Sequence, residues 1–262
     1  MKYRTLFFYL TGLVMLLPIS LFASTAIDGG EVRFFGYVVD VSPKWRWQVA
    51  STNQHWIVDI ADARRNGSYL FFDLRDKGPL PFLEGHLYKV APRGGPGFSP
   101  QISFAGNGAT LSLIDGDSLT DQKIRVSVPV IDLESGQEVG MLNFTLEQGI
   151  GISLGNQYEG GPVSSGIFLA GGESVTQARV ERLSSGLMSR LSSLILMNQN
   201  LQGGMSAASN GKVLHQSVLS AANVMNIAAA YASSLSEFEL QLPALGTPYH
   251  WQARLAVTVT VP

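Results

Sequence analysis

The sequence of 262 residues contains no cysteine. A chain without thiols has neither disulfide bonds nor thiolate chemistry, so its stability must come from packing, from a partner, or from both. Charged residues are also few, at 15% of the chain, and 18 basic side chains stand against 20 acidic ones. Such a balance offers no electrostatic footprint for nucleic acid or anionic lipid, so we expect no nucleic-acid partner.

Sequence patterns typical of enzymes are absent as well. The chain has no GxSxG elbow, no Walker loop and no GxGxxG after a strand, which are the usual signatures of nucleophile and nucleotide sites. Four histidines occur in unrelated contexts, and none belongs to an HExxH pattern: His55, His86, His215 and His250. We therefore expect no catalytic residue, no metal and no cofactor, and we predict that the protein is not an enzyme.

One acidic stretch leaves a calcium alternative open. Asp115, Asp117 and Asp121 could offer oxygen ligands. The stretch lacks the spacing and the closing Glu of an EF-hand loop, and Asp-Gly-Asp is more often a simple turn.

The N-terminus is typical of a secretory signal. Lys2 and Arg4 precede an apolar run over residues 6–22, and small residues follow at 23–26. A basic start, an apolar centre and a small-residue end predict a signal peptide over residues 1–23, with cleavage after Ala23 or, alternatively, after Ala26. An uncleaved anchor is the competing interpretation. The mature part would be a single domain over residues 24–262.

Strand patterns dominate the first half of the mature chain. Trp45, Trp47 and Val49 alternate with polar residues, and a run over residues 123–130 does the same. Alternation of this kind predicts strands with one buried face. Gly136 marks a turn into a further strand over residues 139–146, which predicts a hairpin, and Pro129 suggests that its first strand lies at an edge or carries a bulge.

Between residues 173 and 234 the apolar period changes to three and four residues. Two amphipathic helices are predicted, one over Val180–Leu194 and one over Leu214–Ala228, forming a helical insertion over residues 173–234. Ser174 is the predicted N-cap of the first helix, with Gln177 completing a capping box.

The C-terminal segment predicts the clearest strand. Apolar residues occupy alternate positions: Trp251, Ala253, Leu255, Val257, Val259 and Val261. A strand this apolar must be covered on one face and bonded along its edges.

Aromatic residues are concentrated in the N-terminal half of the mature chain. They are Phe34, Phe35, Tyr37, Trp45, Trp47, Trp56, Tyr69, Phe71 and Phe72. Some are expected in the core, while exposed rings could stack on sugars. The sequence does not separate these two uses.

Several short motifs, in order, resemble those of the FaeG type of enterobacterial fimbrial subunit. Gly29 and Gly30 lead into a V-x-F-x-G-x-V-V strand; Lys-Trp-Arg-Trp follows at 44–47, Pro-Gln-Ile-Ser-Phe at 100–104, a Val-Gly pair at 139–140, and the apolar strand at 251–261. The resemblance extends over nearly the whole mature chain.

The resemblance implies an immunoglobulin-like β-sandwich that lacks its last strand and is completed by donor-strand exchange. A donor tail over residues 24–34, with Ile27, Gly29, Gly30 and Val32, would enter a neighbouring subunit, a mode of strand addition known from pilins. The acceptor groove would be lined by Phe34, Val38, Leu255, Val257 and Val259. The implied partners are other fimbrial subunits, a periplasmic chaperone, an outer-membrane usher and a host glycoconjugate receptor.

On this interpretation the protein is exported through the periplasm to the cell-surface fimbrium, as a structural or adhesive subunit that could also bind host glycans. The alternative from another class is a free-standing secreted lectin-like β-sandwich that is already complete. An enzyme ranks third, because it would need convergent acid, base or metal groups.

Overall fold

The computed structural model of the chain describes residues 44–96, 98–114, 122–158, 166–171, 183–205, 213–215 and 217–260. Strands dominate this part of the chain, so the prediction of a mostly β protein is confirmed. Residues 1–43, which contain the predicted signal peptide, the donor tail, Phe34 and Val38, lie outside the described residues. Within the described ranges, no helix combines the length and the apolar character needed to cross a bilayer.

The described strands, in chain order, are β1 (Trp45–Val49), β2 (Arg64–Asn66), β3 (Tyr69–Leu74), β4 (Leu80–Leu87), β5 (Ala91–Arg93), β6 (Gln101–Gly106), β7 (Ala109–Thr110), β8 (Ser112–Leu113), β9 (Lys123–Asp132), β10 (Glu138–Leu154), β11 (Phe168–Gly171), β12 (Val213–His215), β13 (Met225–Pro243), β14 (Trp251–Ala253) and β15 (Leu255–Thr260). The helices are α1 (Ser185–Leu196) and α2 (Ser217–Ser220), with short 3-10 turns at Ile60–Asp62 and Arg75–Lys77.

One antiparallel pair forms the spine of the large sheet. Strands β10 and β13 are 17 and 19 residues long, and their ladder runs from Met141 opposite Gln241 to Leu154 opposite Ile227. The other edge of β13 pairs with β3, β4 and β5, and the other edge of β10 pairs with β9 and β11. Half of the ten other strands of this sheet therefore attach directly to the same pair.

A smaller sheet packs face to face on the large one. Its strand order is β15-β6-β7. One apolar cluster fills the space between the sheets and includes Phe82 from β4, Phe144 from β10 and Phe104 from β6. The ring centroids of Phe82 and Phe104 lie 6.1 Å apart across the two layers, within the range at which aromatic pairs attract. Two sheets around a shared core make a sandwich.

A bulge in β13 exchanges the faces of that strand. Glu237 and Phe238 together stand opposite a single residue of β10, where the pairing register shifts by one. Before the bulge the core residues are at odd positions, Tyr231 and Leu235, and after it they are at even positions, Phe238 and Leu240. An extra residue reverses which positions face the core, so both parts of β13 contribute side chains to the same core.

The predicted C-terminal strand is confirmed between residues 251 and 260, but it is divided between the two sheets. β14 pairs with β9 in the large sheet and β15 pairs with β6 in the small sheet, with Arg254 between them. Asn107 holds this corner through its backbone N–H donated to the Arg254 carbonyl at 2.9 Å and its side-chain oxygen accepting from the Arg254 N–H at 3.1 Å. Val261 lies outside the described residues.

The predicted hairpin is confirmed as β9 and β10, with Gly136 at a φ of 69° in its turn. The expectation that the first strand lies at an edge or carries a bulge is wrong. The register shifts between Glu138 and Gly140, so the extra residue is Val139 of β10. Strand β9, which contains Pro129, pairs with β10 on one side and with β8 and β14 on the other. Where Pro129 lacks an N–H to donate, its carbonyl accepts a hydrogen bond from the Asn107 side chain at 2.7 Å.

The first predicted helix is confirmed in its C-terminal part as α1, which packs Leu187, Leu191 and Leu194 on the large sheet. Its N-cap is Ser184, whose hydroxyl accepts from the Leu187 N–H at 3.3 Å. The predicted cap Ser174 lies outside the described residues.

The second predicted helix is wrong from Met225 onward. The described part of that segment consists of the end of β12, the single turn of α2, a turn over residues 221–224, and β13, which begins at Met225. Ala228, Ala230 and Ala232 of β13 pack against α1, while Ala229 faces the opposite side. A strand that is covered on both faces carries apolar residues on both, so its sequence shows no two-residue alternation and resembles that of a helix.

A buried ion pair fixes α1 to the sheet. The carboxylate of Glu84 in β4 is 1% exposed and accepts two hydrogen bonds from the guanidinium of Arg190 in α1 and one from Gln48 at 2.7 Å. Burial alone would raise the pKa of Glu84, but the hydrogen bonds from Arg190 and Gln48 outweigh it and lower the pKa. The ionised pair therefore belongs to the folded state at neutral pH.

We expect Arg190→Met to reduce the free energy of unfolding by about 3 kcal/mol, because it leaves a buried carboxylate without its main partner. Urea unfolding followed by circular dichroism measures the loss, with Ser189→Ala on the exposed neighbouring position as the control. The difference from wild type should narrow as the pH falls below 4.5, the ordinary pKa of the group, because the wild type then loses the ion pair and the variant's carboxyl becomes neutral. A loss that stayed constant over this range would contradict the assignment.

Gly140 in β10 is expected to tolerate no side chain. A Cβ there would lie 2.1 Å from the carbonyl oxygen of Gln241, so Gly140→Ala should destabilise the fold by about 2 kcal/mol. In contrast, Gly186→Ala in α1 meets nothing within 4 Å and should stabilise by about 0.5 kcal/mol, because alanine has the higher helix propensity. Chemical denaturation should show a lower free energy of unfolding for Gly140→Ala and a higher one for Gly186→Ala. Equal changes in the two variants would contradict the close packing of Gly140 against Gln241.

Candidate functional site

Strand β15 lies at an edge of the small sheet. It pairs with β6 in antiparallel register from Leu255 opposite Gly106 to Thr260 opposite Gln101. In the part of the chain that the structure describes, its other edge has no strand partner. Backbone N–H and C=O groups along such an edge are available to pair with an added strand.

The side chains of β15 form a half-buried apolar row. Leu255, Val257 and Val259 pack against the main core but remain partly exposed, while Thr258 and Thr260 on the opposite face are exposed. The structure thus brings together three of the predicted groove residues. The predicted contributors Phe34 and Val38 lie outside the described residues, as do Ile27, Gly29, Gly30 and Val32 of the donor tail.

The apolar row continues across β6, which the sequence alone does not assign to the groove. Ile102 is opposite Val259 and Phe104 is opposite Val257 in the ladder. Ile102 is half-buried and Phe104 is 4% exposed. The sequence shows that Ile102 and Phe104 alternate with polar Gln101 and Ser103. It does not show that β6 and β15 are neighbours, because the two strands are far apart along the chain.

Among the described residues, the structure distinguishes aromatic side chains that pack in the core from those on the outer surface. Trp45 and Trp47 stack at 5.0 Å and are half-buried, Trp56 contacts Phe238 at 4.8 Å, and Phe72 is in the core. Phe71 differs, because it is half-buried on the outer face of β3, opposite the core.

A charged cleft of about 550 Å³ surrounds Phe71 on the outer face of the large sheet. Its acidic side chains are Asp62, Asp73, Glu237 and Glu239, and its basic side chains are Arg64, Arg75 and Arg125. Asp73 follows Phe71 on the same face of β3, alternating with buried Phe72 and Leu74. The cleft therefore has many hydrogen-bond donors and acceptors around the half-buried side chain of Phe71.

One ion pair and one charge-assisted hydrogen bond hold arginines of the cleft in place. The Arg75 guanidinium donates to both carboxylate oxygens of Asp73, and these hydrogen bonds, with one from the Arg75 backbone N–H, lower the pKa of Asp73 to about 2. On the other side, Arg125 donates to the backbone carbonyl of Glu237 at 2.9 Å. The carboxylate of Asp73 is consequently ionised at any physiological pH.

Glu237 reaches the cleft through the β13 bulge. Its φ is +52°, a conformation that costs a residue other than glycine about 1 kcal/mol or more. The Thr145 hydroxyl donates to its carboxylate at 2.6 Å and lowers the pKa of Glu237, with Lys123, Arg125 and Arg75 adding to the shift. A bulge commonly re-aims a side chain, and here it directs a carboxylate to the outer face.

The sequence could have suggested part of this cleft. Glu237, Glu239 and Gln241 alternate with core residues in β13, which places their side chains near one outer face. The arginines come from other strands, and no local pattern connects Arg64 or Arg125 to β13. Sequence reasoning therefore missed the charged members and identified only Phe71.

Metal ligation has no support among the described residues, where no group of three or more potential ligands comes together. The imidazole of His86 is buried and bonds the Leu87 carbonyl at 2.9 Å, and His250 lies 3.6 Å from the exposed carboxylate of Glu134. The calcium alternative at Asp115, Asp117 and Asp121 falls outside the described residues.

Comparison with known proteins identifies one matching family. A family model described as "Fimbrial, major and minor subunit" matches residues 2–262. No curated protein matches the chain significantly.

Because one face of β15 is half-buried and the other is exposed, substitutions on the two faces should differ in their effect on the free energy of unfolding. Val257→Ser should reduce the free energy of unfolding by about 1 kcal/mol, since about half the gain from burying a valine is lost. Thr258→Ser on the exposed face should change it by less than about 0.5 kcal/mol. Urea unfolding at concentrations where the chain is monomeric measures both, and equal losses would show that Val257 does not face the core.

Proposed function

Because the chain belongs to the family of major and minor fimbrial subunits, we propose that this subunit of the cell-surface fimbrium polymerises by donor-strand complementation. The family assignment itself makes the protein a structural or adhesive subunit that interacts with other fimbrial subunits. The proposal adds the mechanism: β15 accepts the N-terminal segment of a neighbour, and residues 24–34 of this chain are donated in turn.

The observation that carries this proposal is the half-buried apolar row and unpaired edge of β15 among the described strands. Its row of Leu255, Val257 and Val259 is half-buried, and one of its edges pairs with no other described strand. An added strand would use the free backbone groups for hydrogen bonds and alternate side chains for filling the apolar row. The small sheet would then gain a fourth strand beside β15, which is our proposal for the strand missing from the immunoglobulin-like sandwich.

Covering the apolar row contributes favourably to such insertion. Full burial of a Leu or Val is worth about 1.5–3 kcal/mol, so covering the exposed half of three such side chains would contribute about 2–4 kcal/mol. The hydrogen bonds of the new ladder add to this, at about 1 kcal/mol each. Ordering the incoming tail opposes part of the gain.

The proposed donor has matching chemistry. Ile27 and Val32 are its apolar residues, and Gly29 and Gly30 between them allow close approach of two backbones. Residues 1–23 would be removed as a signal peptide during export to the periplasm. An exposed apolar edge is prone to aggregation, so the proposal includes a periplasmic chaperone that covers β15 and an outer-membrane usher at which the donor replaces it.

A synthetic peptide with the sequence of residues 24–34 tests this mechanism. At about one hundred times its dissociation constant, it should stabilise the mature chain by roughly 2.7 kcal/mol through mass action. Thermal unfolding with and without the peptide measures the shift, and the matched control is the same peptide with Ile27→Asp and Val32→Asp.

The control peptide should give no shift, because two carboxylates cannot enter an apolar row without a large desolvation cost. Equal shifts from both peptides, or none from either this tail or those of other subunits of the same fimbria, would contradict donor-strand assembly. A chain that is already fully monomeric and insensitive to the tail would instead match a complete, free-standing lectin.

A further inference from the structure

Two Asn-Gly pairs lie in hairpin turns among the described residues: Asn66-Gly67 between β2 and β3, and Asn107-Gly108 between β6 and β7. We propose that Asn66 is a site of spontaneous deamidation, and that the fold protects Asn107 from the same reaction. A third pair, at residues 210–211, lies outside the described residues. Neither of the two asparagines belongs to β15 or to the donor tail, so the proposal is independent of the assembly mechanism.

Deamidation at an Asn-Gly pair needs only the chain itself and water. The backbone nitrogen of Gly67 loses its proton and attacks Cγ of Asn66, and the side-chain nitrogen leaves as ammonia. Glycine favours this attack, because it has no Cβ to shield the nitrogen. The resulting five-membered succinimide takes up one water molecule. Cleavage of the new bond to Cγ then yields aspartate, and cleavage of the bond to the backbone carbonyl carbon yields isoaspartate.

The surroundings of Asn66 leave this attack unhindered. Its side chain is exposed and makes no hydrogen bond within the described part of the chain. Gly67 has a φ of +59°, and a Cβ built on it would meet nothing within 4 Å. The carboxamide can therefore rotate until its Cγ lies next to the Gly67 nitrogen, without breaking a hydrogen bond of the fold.

Asn107 is the matched case, because its carboxamide is held at both ends. Its side-chain nitrogen donates to the Pro129 carbonyl at 2.7 Å, and its side-chain oxygen accepts from the Arg254 N–H at 3.1 Å. Rotation of Cγ toward the Gly108 nitrogen would break both bonds. A Cβ on Gly108 would also meet nothing within 4 Å. The two turns are thus equally open at the glycine and differ in the hydrogen bonds on the asparagine.

A carboxylate at position 66 would stand beside the charged cleft. Asn66 and Arg64 are two residues apart on β2, so their side chains share one face at a spacing of about 7 Å. The Arg64 side chain is 78% exposed, and its guanidinium lies 3.9 Å from the carboxylate of Glu239. The new carboxylate would compete with Glu239 for this loosely held guanidinium, and isoaspartate would also lengthen the backbone of the turn.

Incubation of the folded mature chain in mildly alkaline buffer tests the proposal, since base removes the Gly67 amide proton. Mass spectrometry of proteolytic peptides measures the amide and acid forms at each asparagine, and an isoaspartyl methyltransferase labels the isoaspartate. Asn66 should convert faster than Asn107 by about tenfold or more, as expected if two hydrogen bonds must break before Asn107 can react.

The unfolded chain is the matched control. Above the midpoint of urea unfolding the hydrogen bonds on Asn107 are lost, so the two asparagines should convert at similar rates. In the folded chain, Asn66→Gln should abolish conversion at that position, because attack on the longer side chain would have to close a six-membered ring. The slow conversion of Asn107 should stay unchanged in this variant, and circular dichroism should show that the variant is folded.

Three results would overturn the proposal. They are equal conversion of the two asparagines in the folded chain, no conversion of Asn66 over a period in which it converts in urea, or a preference for Asn66 that persists unchanged in urea. The last result would assign the difference to the neighbouring residues in the sequence and not to the hydrogen bonds of the fold.

Discussion

The antiparallel pairing of β10 with β13 is the interaction on which the rest of this structure depends. The pair supplies the core face of the large sheet, the seat of helix α1, and the outer face that forms the charged cleft. Strand β13 packs against the sandwich core on one face and against α1 on the other. The bulge at Glu237 and Phe238 keeps apolar side chains on the core face along the rest of the strand. Without that extra residue, the aromatic and aliphatic side chains beyond it would point away from the sandwich.

The parts of the fold that were predictable are those with a clear local period. The alternation in β1, β9 and β15 identified these strands, and the leucine spacing identified α1. The alanine-rich start of β13 has the sequence pattern of a helix, because both of its faces are buried and the alternation of apolar and polar residues is lost. Local sequence also could not show that the segment 251–260 crosses from one sheet to the other at Arg254, because the partners β9 and β6 are distant in the chain.

The same distinction applies to the candidate sites. Leu255, Val257 and Val259 were predictable as one apolar face, and the family assignment gives that face a context of subunit assembly. The charged cleft depends on Arg64, Arg125 and Glu237, which come from three separate strands. It also depends on the β13 bulge, which the local sequence pattern does not predict. Tertiary juxtaposition of polar residues leaves little trace in a single sequence, whereas apolar faces do.

The corner at Arg254 has a mechanical consequence. A load pulling along β15 would pass through this residue into β14, and so from the small sheet into the large one. Antiparallel ladders on β6 and β9 would then be sheared along their length, with many hydrogen bonds resisting together. A filament in flow transmits tension through every subunit, and a segment woven into both layers would spread that tension over the whole sandwich instead of peeling one sheet from the other.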